Sequence, residues 1–308
     1  MPTTVTIGST YAGEVAGGLF LKAFKEADAL KNGALTIYEN VDNKLVLRKL
    51  QTTNGRREYT CGHTPAGSIT ISEATLQPVK FKDDWDICKE DFRAKSWDPK
   101  AYGKSAHNDV FEKIVLDAIV ANKLADEAEY TGEKIWSAEA GTDGYDGLLT
   151  QFLADATVID VVGTTVTKSN VIAELEKAVD AIPVALRRKT LVMSVSSDVA
   201  QAYNFYLIDK GTVNGLGGNA NTELVFGKHK LVEDTGLPAN TIVIAEPSNL
   251  VFGTCALADH NEIRVADEDE IGLLTGKVRG TMVYNIGLTY IYGAEIVWYS
   301  DQHEAPSV

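Results

Sequence analysis

The residues best suited to bind a metal ion are acids near the end of the chain. Four consecutive acids occupy positions 267–270, and Asp259 and Glu262 lie just before them. Carboxylate oxygens are the ligands that hard cations such as Ca²⁺ prefer. Consecutive side chains on one loop point in different directions, however, and the spacing of an EF-hand with its central glycine is absent. We therefore predict a solvated acidic loop and no metal site.

Patterns that indicate catalysis are incomplete. The five histidines show neither the HxxxH nor the HExxH spacing of zinc hydrolases. GLLTGK at 272–277 is one residue too short for a phosphate loop, and Val278 stands where Ser or Thr would bind magnesium. GLGGNAN at 215–221 is not followed by a helix-forming segment, which favours a surface loop. No GxSxG motif is present, although a nucleophile assembled from distant residues stays open. The sequence favours a protein that is not an enzyme and holds no cofactor.

Cysteine usage and charge exclude further classes. Cys61, Cys88 and Cys255 are widely spaced and form no CxxC pair, so neither a disulfide framework nor a thiolate zinc site is predicted. A formal net charge of −14 opposes general binding to nucleic acid, since affinity for phosphate comes mainly from Lys and Arg. The start, MPTTVTIGSTYAG, lacks the features of a secretory signal, and no apolar run reaches the ~18 residues of a membrane span. We expect a soluble protein.

One short segment departs from this acidic balance. Positions 43–72 hold a single acid, Glu58, against five basic residues: Lys44, Arg48, Lys49, Arg56 and Arg57. These five are the candidate contact residues of the chain. Alone, such a cluster is typical of a solvated basic hairpin or of a nucleic-acid patch.

The elements around the basic cluster are extended. Residues alternate between apolar and polar near Ile69 and Ile71 and again near Val79 and Phe81, and Asn54-Gly55 is a strong turn signal. This pattern predicts a two-stranded ribbon. Its distal half carries few large apolar side chains, so it cannot form a core of its own. We expect the ribbon to be mobile or to lie on another surface.

A long acidic helix is predicted over about 105–131. Apolar residues recur near helical spacing there, and no proline or internal glycine interrupts the segment after Gly103. Positions 105–162 hold twelve acidic residues against three lysines, so this region is opposite in charge to the ribbon. Near the end of the chain, large apolar residues on even positions predict a long strand with one apolar face: Met282, Tyr284, Ile286, Leu288, Tyr290 and Tyr292. The helix is the available cover for that face.

The remaining patterns complete an α+β protein. An amphipathic stretch at 18–30 predicts an N-terminal arm with one docking helix, and the Gly/Asp-rich stretch at 141–149 predicts a domain boundary. A compact α/β region follows, with helices at 169–182 and 198–209 around a strand at 190–195. Strands are predicted at 240–245 and 249–254.

This order of elements resembles the major capsid proteins of tailed double-stranded DNA phages, which have the Hong Kong 97 fold. The matching stretches begin with GSITISEATLQPVKF, HNDVFEKIVLDAIVANKLADEAE and GYDGLLTQF. LVMSVSSDVAQAY, TIVIAEPSNLVFGT and KVRGTMVYNIGLTYIYGAEIVWY follow in the expected order. The resemblance implies an N-terminal arm (1–39), an extended loop (40–82), a peripheral domain with the spine helix (83–144 and 265–308) and an axial domain (145–264).

The resemblance also implies a structural function. Copies of the chain would assemble into hexamers and pentamers of an icosahedral shell that encloses phage DNA without sequence-specific binding. The implied partners are other copies of the chain, a separate scaffolding protein and a portal, with a decoration protein as an optional addition and no membrane involved. The implied location is the virion capsid, and the host cytoplasm during assembly. The five basic residues of the ribbon are expected to contact a neighbouring subunit. The alternatives are an encapsulin-like nanocompartment shell and an unrelated α+β ligand-binding protein or enzyme.

Overall fold

The computed structural model describes residues 8–12, 28–59, 61, 66–88, 109–137, 144–189, 191–210, 224–255, 262–268 and 276–301. Two six-stranded sheets and one two-stranded ribbon contain the strands of these ranges. Most of the predicted arm helix (18–30), the glycine-rich loop (215–221) and the acids at 269–270 lie outside the described residues. No helix within them has the length and apolar character of a membrane span.

The first sheet is centred on one long strand. Its order is β1-β12-β13-β11-β2, and β5 pairs with β13 as well. The bounds are β1 (Gly8–Ala12), β2 (Thr36–Tyr38), β5 (Val79–Cys88), β11 (Leu250–Thr254), β12 (Glu262–Asp267) and β13 (Lys277–Tyr290). The predicted apolar face of β13 is confirmed, because Met282, Tyr284 and Ile286 are buried in the core that also holds Leu124 and Trp136.

The short α1 (Asp28–Lys31) precedes that sheet, and the long helix is α2 (Asp109–Trp136). The helix ends five residues beyond the predicted 131. The extension has a physical reason, because Ile135 and Trp136 are fully buried and their burial outweighs the low helix propensity of Gly132. Gly236 allows a close approach to this helix end, since a Cβ added there would lie 2.3 Å from the Gly132 carbonyl oxygen.

The second sheet is covered by helices on one face. Its order is β6-β14-β10-β7-β9-β8. The strands are β6 (Ile159–Val162), β7 (Val192–Val195), β8 (Leu224–Phe226), β9 (His229–Glu233), β10 (Ile242–Ala245) and β14 (Val297–Ser300). The helices that follow α2 are α3 (Leu148–Ala154), α4 (Val171–Asp180) and α5 (Ser197–Asp209). Ile242 and Ile244 face a core shared with α4 and α5, whereas Val243 faces the core of the first sheet.

Three strands pair with strands from another of the predicted domain ranges. β11 and the first half of β12 come from 145–264 and pair in the first sheet, and β14 comes from 265–308 and pairs in the second. The chain crosses between the two large sheets three times, after β5, after β10 and after β13. Asn249 holds the last two crossings together, because its Oδ1 accepts hydrogen bonds from Ile291 N (3.1 Å) and Tyr292 N (2.7 Å) and its Nδ2 donates to Tyr292 O (2.8 Å).

Candidate assembly surface

The ribbon consists of β3 (Leu45–Thr52) and β4 (Ile69–Leu76), paired antiparallel from Leu45 opposite Leu76 to Thr52 opposite Ile69. Its inner face rests on the body of the molecule at the base. Leu47 and Leu76 are buried there beside Val251 of the first sheet. This contact requires glycine at position 253, because a Cβ there would lie 2.2 Å from Leu76 Cδ2. A further anchor is Leu50 N, which donates to the Tyr292 hydroxyl at 3.1 Å.

The outer face of the ribbon exposes large aliphatic side chains. Strand alternation places four of them on this face: Leu50 (59% exposed), Ile69 (72%) and Ile71 (70%) are neighbours, and Val46 (40%) lies beyond the cross-strand pair of Arg48 and Glu73. We call these four residues the outer ribbon stripe. Contiguous exposed apolar side chains usually mark a surface that another molecule covers.

The predicted turn at Asn54-Gly55 is not the end of the ribbon. The strands stop at Thr52 and Ile69, and the tip runs from 53 to 68. Asn54 Oδ1 accepts from Arg56 N at 2.9 Å, which makes a local turn within one side of the tip. Gly55 packs against Gly67, where a Cβ on Gly55 would lie 2.6 Å from Gly67 N. The glycine therefore serves a close approach of the two tip segments rather than the hairpin turn.

The five predicted basic residues do not form one patch. Arg48 lies on the outer face directly opposite Glu73, and the stretch counted in the sequence ended one residue before that acid. Lys44, Arg56 and Arg57 are exposed before β3 and in the tip. Period-two alternation sends neighbouring strand residues to opposite faces, so Arg48 and Lys49 are separated.

Lys49 acts inside its own chain. It is half-buried opposite Ser72, and its charge reaches Asp155. Burial opposes ionisation of Asp155, but the backbone N–H of Thr157, the Tyr290 hydroxyl (2.7 Å) and Lys49 together hold the pKa of that carboxyl below its usual value. Lys49 therefore differs from the other four cations.

Three acids form a line on the long helix. Asp126, Glu129 and Glu133 are exposed, and their spacing of three and four residues places them on one face of α2. Beside this line Lys123 pairs with Asp83 at 3.2 Å, and the Lys134 ammonium lies 5.3 Å from the centre of the Tyr130 ring. We call the three acids the helix acid line.

The buried carboxylates have structural partners. Asp234 accepts from Trp136 Nε1 at 2.6 Å and from Gly236 N at 3.1 Å. Glu174 accepts from the Tyr299 hydroxyl (2.6 Å), Thr164 and Lys177. The expectation of a solvated acidic loop is wrong for Glu268, which is buried and paired with the Arg279 guanidinium because it continues the β12–β13 pairing, with its N–H donating to Lys277 O at 3.0 Å.

The described ranges offer few groups for metal or thiol chemistry. These ranges hold no group of three or more side chains placed to bind a metal ion. The three cysteines are free thiols; Cys61 is exposed, Cys88 half-buried and Cys255 buried.

Comparison with solved structures gives extensive matches at low identity. The capsid of a native GTA particle matches with a TM-score of 0.60 and 12% identity, over 97% of this chain and 94% of that one. The capsid of Myoviridae phage XM1 matches with a TM-score of 0.57 and 12% identity, over 89% and 92%. The satellite phage P4 procapsid, which includes a size determination protein, gives 0.55 and 13%, over 92% and 98%.

Sequence comparisons add nothing to these matches. No protein-family model matches the chain, and no curated protein does. At 12–13% identity the structural likeness establishes the fold. The order of two sheets, a long helix and an extended ribbon therefore belongs to the Hong Kong 97-like fold of phage capsid proteins.

Proposed function

We propose that this chain is the major capsid protein of a tailed double-stranded DNA phage, and that its copies form the hexamers and pentamers of an icosahedral shell around the genome. The outer ribbon stripe is the observation that carries this proposal, on a chain with the fold of shell proteins. A two-stranded ribbon is marginally stable by itself, and its exposed stripe gains stability when a second copy covers it. In a symmetric assembly the same contact is repeated in every subunit.

Each predicted part of the chain has its own proposed role in assembly. The arm (1–39) and the extended loop (40–82) reach neighbouring copies, while the peripheral and axial domains form the wall. Strand pairing joins the parts of the wall. The first sheet contains β5, β11 and β12, and the second contains β14. The ribbon is then free to contact a neighbour while its base stays fixed to the body at Leu76.

The free energies of apolar burial and of exposed ion pairs indicate which ribbon residues supply the affinity between copies. Covering each aliphatic side chain of the stripe contributes about 1 to 2 kcal/mol, whereas an exposed ion pair contributes about 0 to 1 kcal/mol. We infer that the stripe supplies most of the affinity. Lys44, Arg48, Arg56 and Arg57 set orientation and association rate by facing acids of a neighbour. The helix acid line is the proposed partner, and Lys49 contributes through its own chain.

Further partners follow from the proposed role. Assembly is expected to use a separate scaffolding protein and a portal, with a decoration protein as an optional addition, in the host cytoplasm. The product is the virion capsid. A chain of net charge −14 presents DNA with a wall that binds phosphate weakly, which suits packing and release of the genome. We propose that the chain has no enzymatic activity.

Negative-stain microscopy tests the proposal. The full chain is purified with and without the co-expressed scaffolding protein from the same phage. Closed shells or capsomer rings are expected. A stable monomer under every condition, together with turnover of some substrate, would contradict the proposal. Shells that contain a peptide-tethered enzyme and no DNA would indicate a nanocompartment instead.

A further inference from the structure

A pocket of about 320 Å³ opens at one end of the second sheet. It lies between the end of α4, the 3₁₀ turn at Leu186–Arg188 and the hairpin that joins β8 to β9. The lining includes three apolar side chains, namely Val179, Ile182 and Phe226. It also includes the polar residues Asp180, Arg187, Lys228 and His229.

His229 is the only ring donor of this lining. The residue is 3% exposed, and its Nδ1 accepts a hydrogen bond from Leu191 N at 3.3 Å. An imidazole that accepts at Nδ1 carries its proton on Nε2. Within the described ranges, Nε2 has no hydrogen-bond partner. Nε2 is not among the solvent-inaccessible side-chain atoms that lack a partner, so it is open to the pocket, and a ligand that accepts from it replaces water.

The charges around this donor favour an anion. The Arg187 guanidinium is held by two bonds, from Nε to Ile182 O (3.1 Å) and from Nη2 to Asp180 O (2.9 Å). Lys228 is exposed at the rim. These two cations face one carboxylate, that of Asp180, which leaves a lining of net positive charge. Burial and the nearby charge of Lys228 lower the pKa of His229, against the hydrogen bond from Leu191, so the ring favours its neutral donor form.

We propose that this pocket binds a carboxylate carried on a short apolar stem, with the stem on Val179, Ile182 and Phe226 and the carboxylate accepting from His229 Nε2 beside Lys228. A free fatty or amino acid and a glutamate side chain of another copy share this chemistry. The proposal does not depend on shell formation, because the pocket lies within one chain.

Equilibrium dialysis of the full unassembled chain against radiolabelled hexanoate tests the pocket. We expect one saturable site per chain with a Kd on the order of 1 mM. Acetate, which lacks the apolar stem, should bind at least ~10-fold more weakly, since each buried CH₂ adds to the affinity. No saturable uptake of hexanoate, or equal affinity for acetate, would overturn the proposal.

Matched variants locate the site. Lys228→Gln should weaken hexanoate binding about 3-fold and His229→Gln about 10-fold, as expected for a rim charge and a buried donor. Lys230→Gln is the control, because Lys230 follows His229 in β9 and its side chain lies on the face opposite to that of His229. Lys228 sits in an exposed turn, so its variant reports on binding even if His229→Gln unfolds. Equal effects of Lys228→Gln and Lys230→Gln would place the ligand elsewhere and overturn the assignment.

The same dialysis on assembled particles distinguishes a free carboxylic acid from a glutamate side chain of another copy. Hexanoate uptake by particles equal to that of the free chain identifies a small carboxylate as the ligand. Loss of uptake on assembly, with recovery after dissociation, identifies a side chain of a neighbouring copy. Both outcomes require binding by the free chain, so failure there contradicts the pocket without bearing on the shell.

Discussion

An isoleucine side chain can be buried in the second sheet and exposed in the ribbon. Ile244 of β10 is fully buried, whereas Ile71 of β4 is 70% exposed. β10 is paired with a strand on each side, whereas β4 is paired with β3 alone. The sheet gains its stability from contacts within the chain, and the ribbon stripe gains stability only from a surface that the chain itself does not supply. Folding and assembly are therefore assigned to different residues.

The largest expected effect comes from truncating the two isoleucines. Ile244→Ala should lower the free energy of unfolding by about 2 to 5 kcal/mol, because it leaves a cavity in a closed core. Ile71→Ala should change it by less than about 0.5 kcal/mol, because the side chain is mostly in water already. Urea unfolding of the unassembled chain measures both. Equal losses would show that the ribbon face is covered within the monomer.

The crossing between the sheets gives the next effect. Asn249→Ala removes three hydrogen bonds to residues 291 and 292 and leaves the half-buried N–H and C=O of Tyr292 without these partners, so we expect a loss of about 2 to 4 kcal/mol in unfolding free energy. Asn43→Ala is the matched control on the exposed approach to the ribbon and should change stability little. A small effect at Asn249 would mean that the crossings hold without its amide.

Asp234 gives the sheet region a pH dependence. Burial, opposed by the hydrogen bonds of Trp136 and Gly236 and aided by the Asp28 carboxylate, raises the pKa of Asp234 to about 6. The folded state thus binds the proton more tightly than the unfolded state. The stabilisation is complete below about pH 4 and is lost as pH rises through about 6.

Asp234→Asn removes this titration. Relative to the native chain, the variant should gain roughly 3 kcal/mol of stability between pH 4 and pH 7, as a shift of about two pKa units requires. Unfolding free energies of the two chains, measured across this range, give the difference directly. A difference that stays constant with pH would contradict the role assigned to the carboxylate.

Charge reversal in the tip should have the smallest effect on folding. Arg56→Glu with Arg57→Glu changes only exposed side chains, so the melting temperature should stay nearly constant. Assembly should weaken, most clearly at low salt, since like charges across a contact disfavour association. Charge reversal of Asp126 and Glu129 to Lys in the same chain should restore part of it. Normal assembly of the Arg double variant at low salt would remove the electrostatic part of the proposal.

Much of the fold could be predicted from the sequence because periodicity reports which faces are buried. The even-numbered residues of β13 and the helical repeat of α2 gave the central contact of the first sheet. The exchange of β11 and β14 between sheets could not be predicted, since buried strands such as IVIA and LVFGT look alike whichever sheet they join. The end of α2 was missed because tertiary burial of Trp136 overrides a local glycine.

The candidate surface was predicted only in part. A count of charges along the chain drew attention to the ribbon, but it could not assign Arg48 and Lys49 to opposite faces without the strand bounds. The aliphatic residues of the outer ribbon stripe were visible as strand formers near Ile69 and Ile71. Their exposure depends on which face meets the body at Leu76, and that is a tertiary fact.

Leu50→Asp combined with Ile71→Asp tests the central claim most directly, because these residues lie opposite each other at the middle of the stripe. Assembly of the full chain with its scaffolding protein is followed by sedimentation and microscopy, and the melting temperature of the unassembled chain is measured alongside. The account predicts an unchanged melting temperature and an absence of shells and capsomers. Normal shells, or a fall in melting temperature as large as that of Ile244→Ala, would contradict it.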